Sequence, residues 1–253
     1  DTYNIIPSFN SVMTLLFTLA MFLTTAPVMG ADINVPGDYA TIQAAIDAAT
    51  NGDVIHIADG TWTGSDNTNL NPNGKAITIQ SSSGNPELCI IDGRGFRRGF
   101  VCESGETSAT VISGLTIKDA SNSDAGPIYG AGLRCNNASP RIENCRFINN
   151  RAVWEEPDPG TGVYGAGAAV YCLNDAAPTF QQCEFIDCES HEGGGAVYCY
   201  ISSPVFINCT FTGCKTHHHG GAIAMHSGSL QAENCVFTDN MVQIGSGGAI
   251  QCS

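Results

Sequence analysis

Between residues 133 and 253, short bursts of alternating apolar and polar positions return at a nearly fixed interval. GAVYC (195–199), GAIAM (221–225) and GAIQC (248–252) align at spacings of 26 and 27, and Cys135 and Cys172 hold the same place upstream at spacings of 37 and 27. A second column runs Cys145, Cys183, Cys209, Cys235, and a third runs Ile117, Phe147, Phe185, Phe211, Phe237. Several columns sharing one period mark a stack of similar coils.

Each repeat holds three extended pieces: Gly-Gly-Ala-aliphatic-x-Cys, a stretch after Ser-Pro or Ala-Pro, and Cys-x-Phe. In the first piece Val197 and Cys199 share one parity and point inward, so Tyr198 points out. Phe206 and Cys209 break that parity, which demands a bend at the column Asn144, Gln182, Asn208, Asn234. Asn tolerates the left-handed conformation of such a bend, and its amide is expected to pair with the next one along the stack. Three strands in about 26 residues cannot bury their own inner faces alone, whereas coils stacked at the ~4.8 Å strand spacing share one core. The predicted fold is therefore an all-β parallel solenoid with three strands per ~26-residue coil.

Nearer the N-terminus, TIQAAIDAA (41–49) places Ile42, Ala45, Ile46 and Ala49 on one helical face, with Gly52 as its stop. This predicts a helix capping the first coil. Strands are expected over 53–57 (Ile55 and Ile57 inward, His56 outward), 76–79, 89–92 and 111–117. Before them, MTLLFTLAMFLTTAPVMGA from Met13 is shorter than the ~20 apolar residues a membrane span needs. Val28, Gly30 and Ala31 suit signal-peptide cleavage. Residues 1–31 thus read as an upstream stretch plus signal peptide, with a secreted or cell-surface β-helix domain over 32–253. Ser253 directly follows a first-piece strand, which leaves an apolar cross-section, so further coils of a longer chain are expected beyond it.

The chain has 24 Asp plus Glu against 10 Lys plus Arg, and this net charge of −14 excludes a nucleic-acid partner. Hydrophobic residues at 43% exclude disorder. Twelve Cys in an exported chain would suggest a disulfide scaffold, but their ladder pattern reads as small buried hydrophobes with free thiols.

VPGDYATIQAAIDAA (35–49), GDVIHIADGTW (52–62), GKAITIQSSSG (74–84), IIDGRG (90–95) and TVISGLTI (110–117) resemble the cap and first coils of right-handed parallel β-helix proteins of the pectin-lyase-like superfamily. The likeness spans 33–253. Gly-Gly-Ala-Ile (220–223, 247–250) with Phe-x-x-Asn (147–150, 237–240) is similar to the repeats of polymorphic outer-membrane proteins. The resemblance implies a right-handed coil and substrates lying along the outside of the first strand face. It spans lyases, hydrolases, esterases and non-catalytic surface proteins, so it does not choose an activity. No adjacent aspartate pair of hydrolase type, esterase motif, or lyase arginine with calcium aspartates is assigned.

The outward column of that face reads Arg134, Tyr171, Tyr198, Ala224, Gln251. Two tyrosines beside an arginine suit a sugar ring and an acidic group, or else simply stabilise the sheet surface. An insertion between Asn150 and Gly167 adds Trp154, Glu155, Glu156, Asp158 and Tyr164. Its three carboxylates suit calcium or an acid–base pair, or form a solvated acidic loop; no other cofactor is assigned. His191 and His217 stack at a spacing of 26, and with His218, His219 and Glu192 they suit a transition metal, a general base, or exposed turn positions. Arg94, Arg97 and Arg98 crowd one turn, where they hold an anion or balance acids such as Asp92 and Glu103. The expected role is a secreted or surface module binding extracellular polysaccharide or mediating adhesion. The alternative is a polysaccharide lyase or glycoside hydrolase drawing on Glu155, Glu156, Asp158, His191 or His217.

Overall fold

The computed structural model describes residues 30–121, 128–155 and 163–253. Residues 1–29, which hold most of the expected signal peptide, Glu156 and Asp158 lie outside these residues. Of Trp154, Glu155 and Tyr164 only the backbone is described: Trp154–Glu155 and Val163–Tyr164 pair antiparallel, with Trp154 opposite Tyr164.

The remaining strands stack in parallel, coil upon coil. The first sheet has six strands and joins Phe100–Cys102, Leu133–Asn136, Val170–Leu173, Val197–Ser202, Ile223–Gly228 and Ile250–Cys252. An eight-stranded second sheet runs from Asp32–Val35 to Gln231–Glu233, and a seven-stranded third from Gly60–Trp62 to Val236–Thr238. The predicted columns are in register. Cys135, Cys172, Cys199, Met225 and Cys252 pair in turn, as do Ile117, Phe147, Phe185, Phe211 and Phe237. The Phe147, Phe185, Phe211 and Phe237 rings stack 4.5–5.1 Å apart and nearly parallel. Phe180 and Phe206 form a second ladder, 4.9 Å apart, edge-on to the first. The twelve cysteines are free and all but Cys235 and Cys252 are buried. Burial pushes the Cys145 thiol up to about 12, so it stays a neutral filler of the core.

The bends follow the side-chain chemistry. Asn144, Gln182, Asn208 and Asn234 all hold φ near +50°, as the parity break requires. Gly114 (φ +67°) occupies the same position one coil earlier and splits the predicted 111–117 strand into Val111–Ser113 and Thr116–Lys118. The expected amide ladder does not form in this column: Asn144 donates instead to the Gly84 carbonyl, 3.0 Å away.

A second left-handed column, Asp119, Asn149, Asp187, Gly213, Asp239, sits two residues after each inward Ile or Phe. It launches a feature beyond the three expected strands. This is a short fourth sheet of Arg151–Ala152, Glu189–Ser190, Lys215–Thr216 and Met241–Val242. Asn150 and Asn240, buried and half-buried between bend and rung, each accept from one backbone amide and donate to one backbone carbonyl of the preceding coil; Cys188 and Cys214 take the same place between them.

The cap helix spans Ile42–Ala48 and buries Ile42, Ala45 and Ile46; Thr41 accepts from the Ala44 amide at its N-terminus. Gly52 is not the residue that ends it. The helix closes at Ala49, held open-ended by Lys75, whose ammonium donates to the Ile46 and Asp47 carbonyls (2.7 and 2.8 Å) from the neighbouring coil. Gly52, at φ +97°, serves the turn into Val54–Ile57. Among the described residues no helix is long and apolar enough to cross a membrane.

Candidate functional site

On the outside of the first sheet the predicted column Arg134, Tyr171, Tyr198, Ala224, Gln251 is in register, with Val101 preceding it. Tyr171 and Tyr198 stack 5.5 Å apart and 6° from parallel, and Tyr129 leans on Tyr171 at 5.0 Å and 44°. Two stacked rings turn their faces to each other, so between them they offer edges rather than a flat platform. The ladder ends at Tyr198, because the next coil supplies only the methyl group of Ala224. Tyr198 borders a cavity of about 320 Å³ there, lined also by Glu192, His219, Ala224, Met225, His226, Gln251 and Ser253.

The turn entering this sheet makes the room. Tyr129, Ala166, Gly193 and His219 form a bridged column, bulky at both ends and small in the middle. A Cβ at Gly193 would meet the Tyr198 ring at 3.2 Å, and one at Gly167 (φ +58°) would come within 3.0 Å of the Tyr198 Cβ. These glycines let the tyrosines lie down along the turn. Glu192 is half-buried beside them. Burial raises its carboxyl above the usual range, against the opposing effect of a hydrogen bond from the Tyr129 hydroxyl. Burial also pushes Tyr171 up to about 12 and raises Tyr198, with neighbouring phenols and Glu192 adding to it, so both hydroxyls stay protonated donors near neutral pH. Tyr200 and His226 extend the face as a second stacked pair, 5.3 Å apart.

Other predicted residues go elsewhere. Arg134 forms an ion pair with Glu103 at 3.0 Å, so its charge is already matched on the face. The three arginines do not converge: Arg98 is buried and donates to the Gly130 and Tyr129 carbonyls, Arg97 lies over the Phe96 ring, and Arg94 adopts a left-handed bend. Asp92 is matched by Lys118 rather than by any of them. Burial, with Arg134 nearby, lowers Arg98 to about 10, still fully charged at neutral pH.

His191 and His217 stack as expected, 4.8 Å apart, but His191 and Glu192 part company. Glu192 lines the tyrosine trough, while His191 and His217 line a separate groove of about 300 Å³ with Arg151, Glu189, Lys215 and Gln243. His191 and His218 are both held below the ordinary imidazole value, by burial first and then by the adjacent histidines. The two cavities share no lining residue, so His191 and His217 do not line the tyrosine trough.

Tyr129 and His219 were not singled out as site partners by the repeat, although their column keeps the same 37, 27 and 26 spacing as the cysteines. Four unlike side chains at those positions conceal it.

A sequence model described as "Right handed beta helix region" matches residues 51–253, which takes in the trough, both left-handed columns and every parallel strand after Asp32–Val35. The chain belongs to the right-handed β-helix family. Within this β-helix, the trough lies on the outer surface of coils that the family match covers from end to end. Among solved structures, that of rice weevil pectin methyl esterase is similar at 13% identity and a TM-score of 0.42, over 87% of this chain and 89% of that one. The comparison with curated proteins gives no match.

Proposed function

We propose that this β-helix is a secreted or cell-surface module that binds an extracellular polysaccharide, seating one sugar ring on Tyr198. The observation that supports it is the ladder's end, where Ala224 replaces the next ring and Tyr198 borders a cavity with Glu192, His219 and His226. The apolar face of a pyranose packs on an aromatic ring while its hydroxyls need polar partners around the rim. Glu192, His219, His226 and Gln251 supply both donors and acceptors there. At about 320 Å³ the cavity is near the small end of ligand pockets, ~300–1,000 Å³, and suits one ring of a chain running along the sheet. A net charge of −14, with Arg134 already matched by Glu103, favours a neutral glycan over a polyanionic one.

Affinity electrophoresis against neutral and acidic polysaccharides tests this reading. Tyr198→Ala is expected to weaken binding ~10-fold, the scale of one aromatic contact. Ala224→Tyr continues the ladder, covers Tyr198, and is expected to abolish binding while leaving every polar group of the trough in place. Retention on neutral glycans that ignores both substitutions defeats the proposal.

An enzymatic reading, a lyase or glycoside hydrolase, draws on the carboxyl of Glu192 and the imidazole of His219 beside the same ring. Release of unsaturated products or new reducing ends, lost in Glu192→Gln, would establish it in place of simple binding.

A further inference from the structure

The fourth sheet leads into a turn where three imidazoles meet. His191 and His217 come from successive coils and stack 4.8 Å apart at 12°. His218 stands edge-on to both, 5.0 Å from His191 at 89° and 4.6 Å from His217 at 82°. One ring nitrogen from each lies within 4.8 Å of the other two. The closest pair, His217 Nδ1 and His218 Nε2, is 3.3 Å apart. Metal–nitrogen bonds of ~2.0–2.1 Å in a tetrahedral site put ligand atoms ~3.3–3.4 Å apart, so this pair already matches one edge of such a site. His191 Nδ1 is buried with no hydrogen-bond partner, an expense a protein rarely leaves unmet.

The backbone around the cluster is pinned. The His218 amide donates to the His191 carbonyl, and Thr216 Oγ1 donates to that same oxygen. Ser190 bonds Thr216 one coil on. Gly245, at φ +130°, lets the following coil press on the His218 carbonyl, where a Cβ would come within 1.9 Å. Closing the three nitrogens around an ion therefore asks for side-chain rotation rather than chain movement. Arg151 and Lys215 border the groove, but both lie 3.6 Å from Glu189, which offsets their charge.

We infer that His191, His217 and His218 form a binding site for a divalent transition-metal ion of the zinc, nickel or copper class. A set of three neutral imidazoles without a carboxylate selects these ions over calcium and magnesium, which prefer oxygen. The groove beside His191 and His217 leaves space for water or an exogenous ligand at a fourth position. The site is independent of the tyrosine trough and of the glycan reading.

Isothermal titration of the full chain with Zn²⁺ at pH 7.5, backed by elemental analysis after dialysis, is expected to give one bound equivalent, with none for Ca²⁺ or Mg²⁺. Co²⁺ should give the intense visible bands of a low-coordinate nitrogen site. His217→Gln and His218→Gln, which preserve volume, should each weaken Zn²⁺ by more than ~100-fold, beyond the ~10–100-fold that loss of a supporting group costs. His56→Gln, distant and paired to Asp32 at 2.8 Å, should not change it. Circular dichroism of each variant verifies that the coil is intact. Absence of a stoichiometric Zn²⁺ equivalent in the wild type, or binding undiminished in folded His217→Gln and His218→Gln, overturns the site.

Discussion

Ile201 shows how far a single side chain can depart from the pattern around it. The residue two positions after each inward Cys or Met of the first sheet is left-handed in four successive coils: Asn137 (φ +49°), Asn174 (φ +53°), Ile201 (φ +48°) and Ser227 (φ +64°). Asn in this region is supported by its own short amide, while a β-branched side chain clashes with the backbone. Ile201 is also substantially exposed, so burial does not offset that strain. Ile201→Asn is expected to raise stability by ~1 kcal/mol, read as a higher urea midpoint with an unchanged slope. At this scale the sequence column correctly paired Tyr171 with Tyr198. It did not separate Glu192 from His191, because adjacent residues in a turn carry no strand parity to assign them sides.

At the scale of elements, most boundaries follow from side chains that were legible in advance. The helix face Ile42, Ala45, Ile46 is an example, and so are the bends at Asn144, Asn208 and Asn234. The fourth sheet was hidden because its strands are two residues long, too short for periodicity. Its signal lay in the left-handed set Asn149, Asp187, Gly213, Asp239. The lysine clamp on the cap helix was hidden for a different reason, since it joins elements 28 residues apart.

The entry to the first coil rests on one carboxylate. Asp53 accepts from the Thr50 amide at 2.7 Å, from the Ala31 amide at 2.7 Å and from the Thr50 hydroxyl at 3.0 Å. The Thr50 and Ala31 amides hold its carboxyl below the ordinary value of 3.8. A depressed folded value means the unfolded chain binds the proton first. The contribution is therefore complete above the unfolded value and is lost as pH falls through the folded one. Asp53→Asn should lower the melting temperature at pH 7, and its gap to the wild type should shrink below pH ~4. A gap that stays constant down to pH 2 would show that shape, not charge, is what Asp53 supplies.

For the whole molecule, the stack of coils was legible because each coil repeats the same columns, and the two perpendicular phenylalanine ladders tie those columns into one core. Phe185 touches both ladders, stacking on Phe147 and Phe211 and meeting Phe180 and Phe206 edge-on. Phe185→Ala should cost ~3–5 kcal/mol, measured by chemical denaturation, and should open the core in the middle of the stack rather than at an end. The trough was harder to foresee. Its cavity depends on where a ladder stops, and a run of tyrosines followed by an alanine looks, in sequence, like any variable surface position.

The same columns that organise the core also hold its sulfur. Once folded, the protein hides ten thiols from any oxidant and presents only Cys252 and the half-covered Cys235. An unfolded chain offers all twelve, strung out at intervals that permit a great many mispairings. Coil-by-coil zipping and oxidation are thus rival processes, and a chain that meets an oxidising compartment before its coils have closed is open to covalent scrambling that no later packing can easily undo.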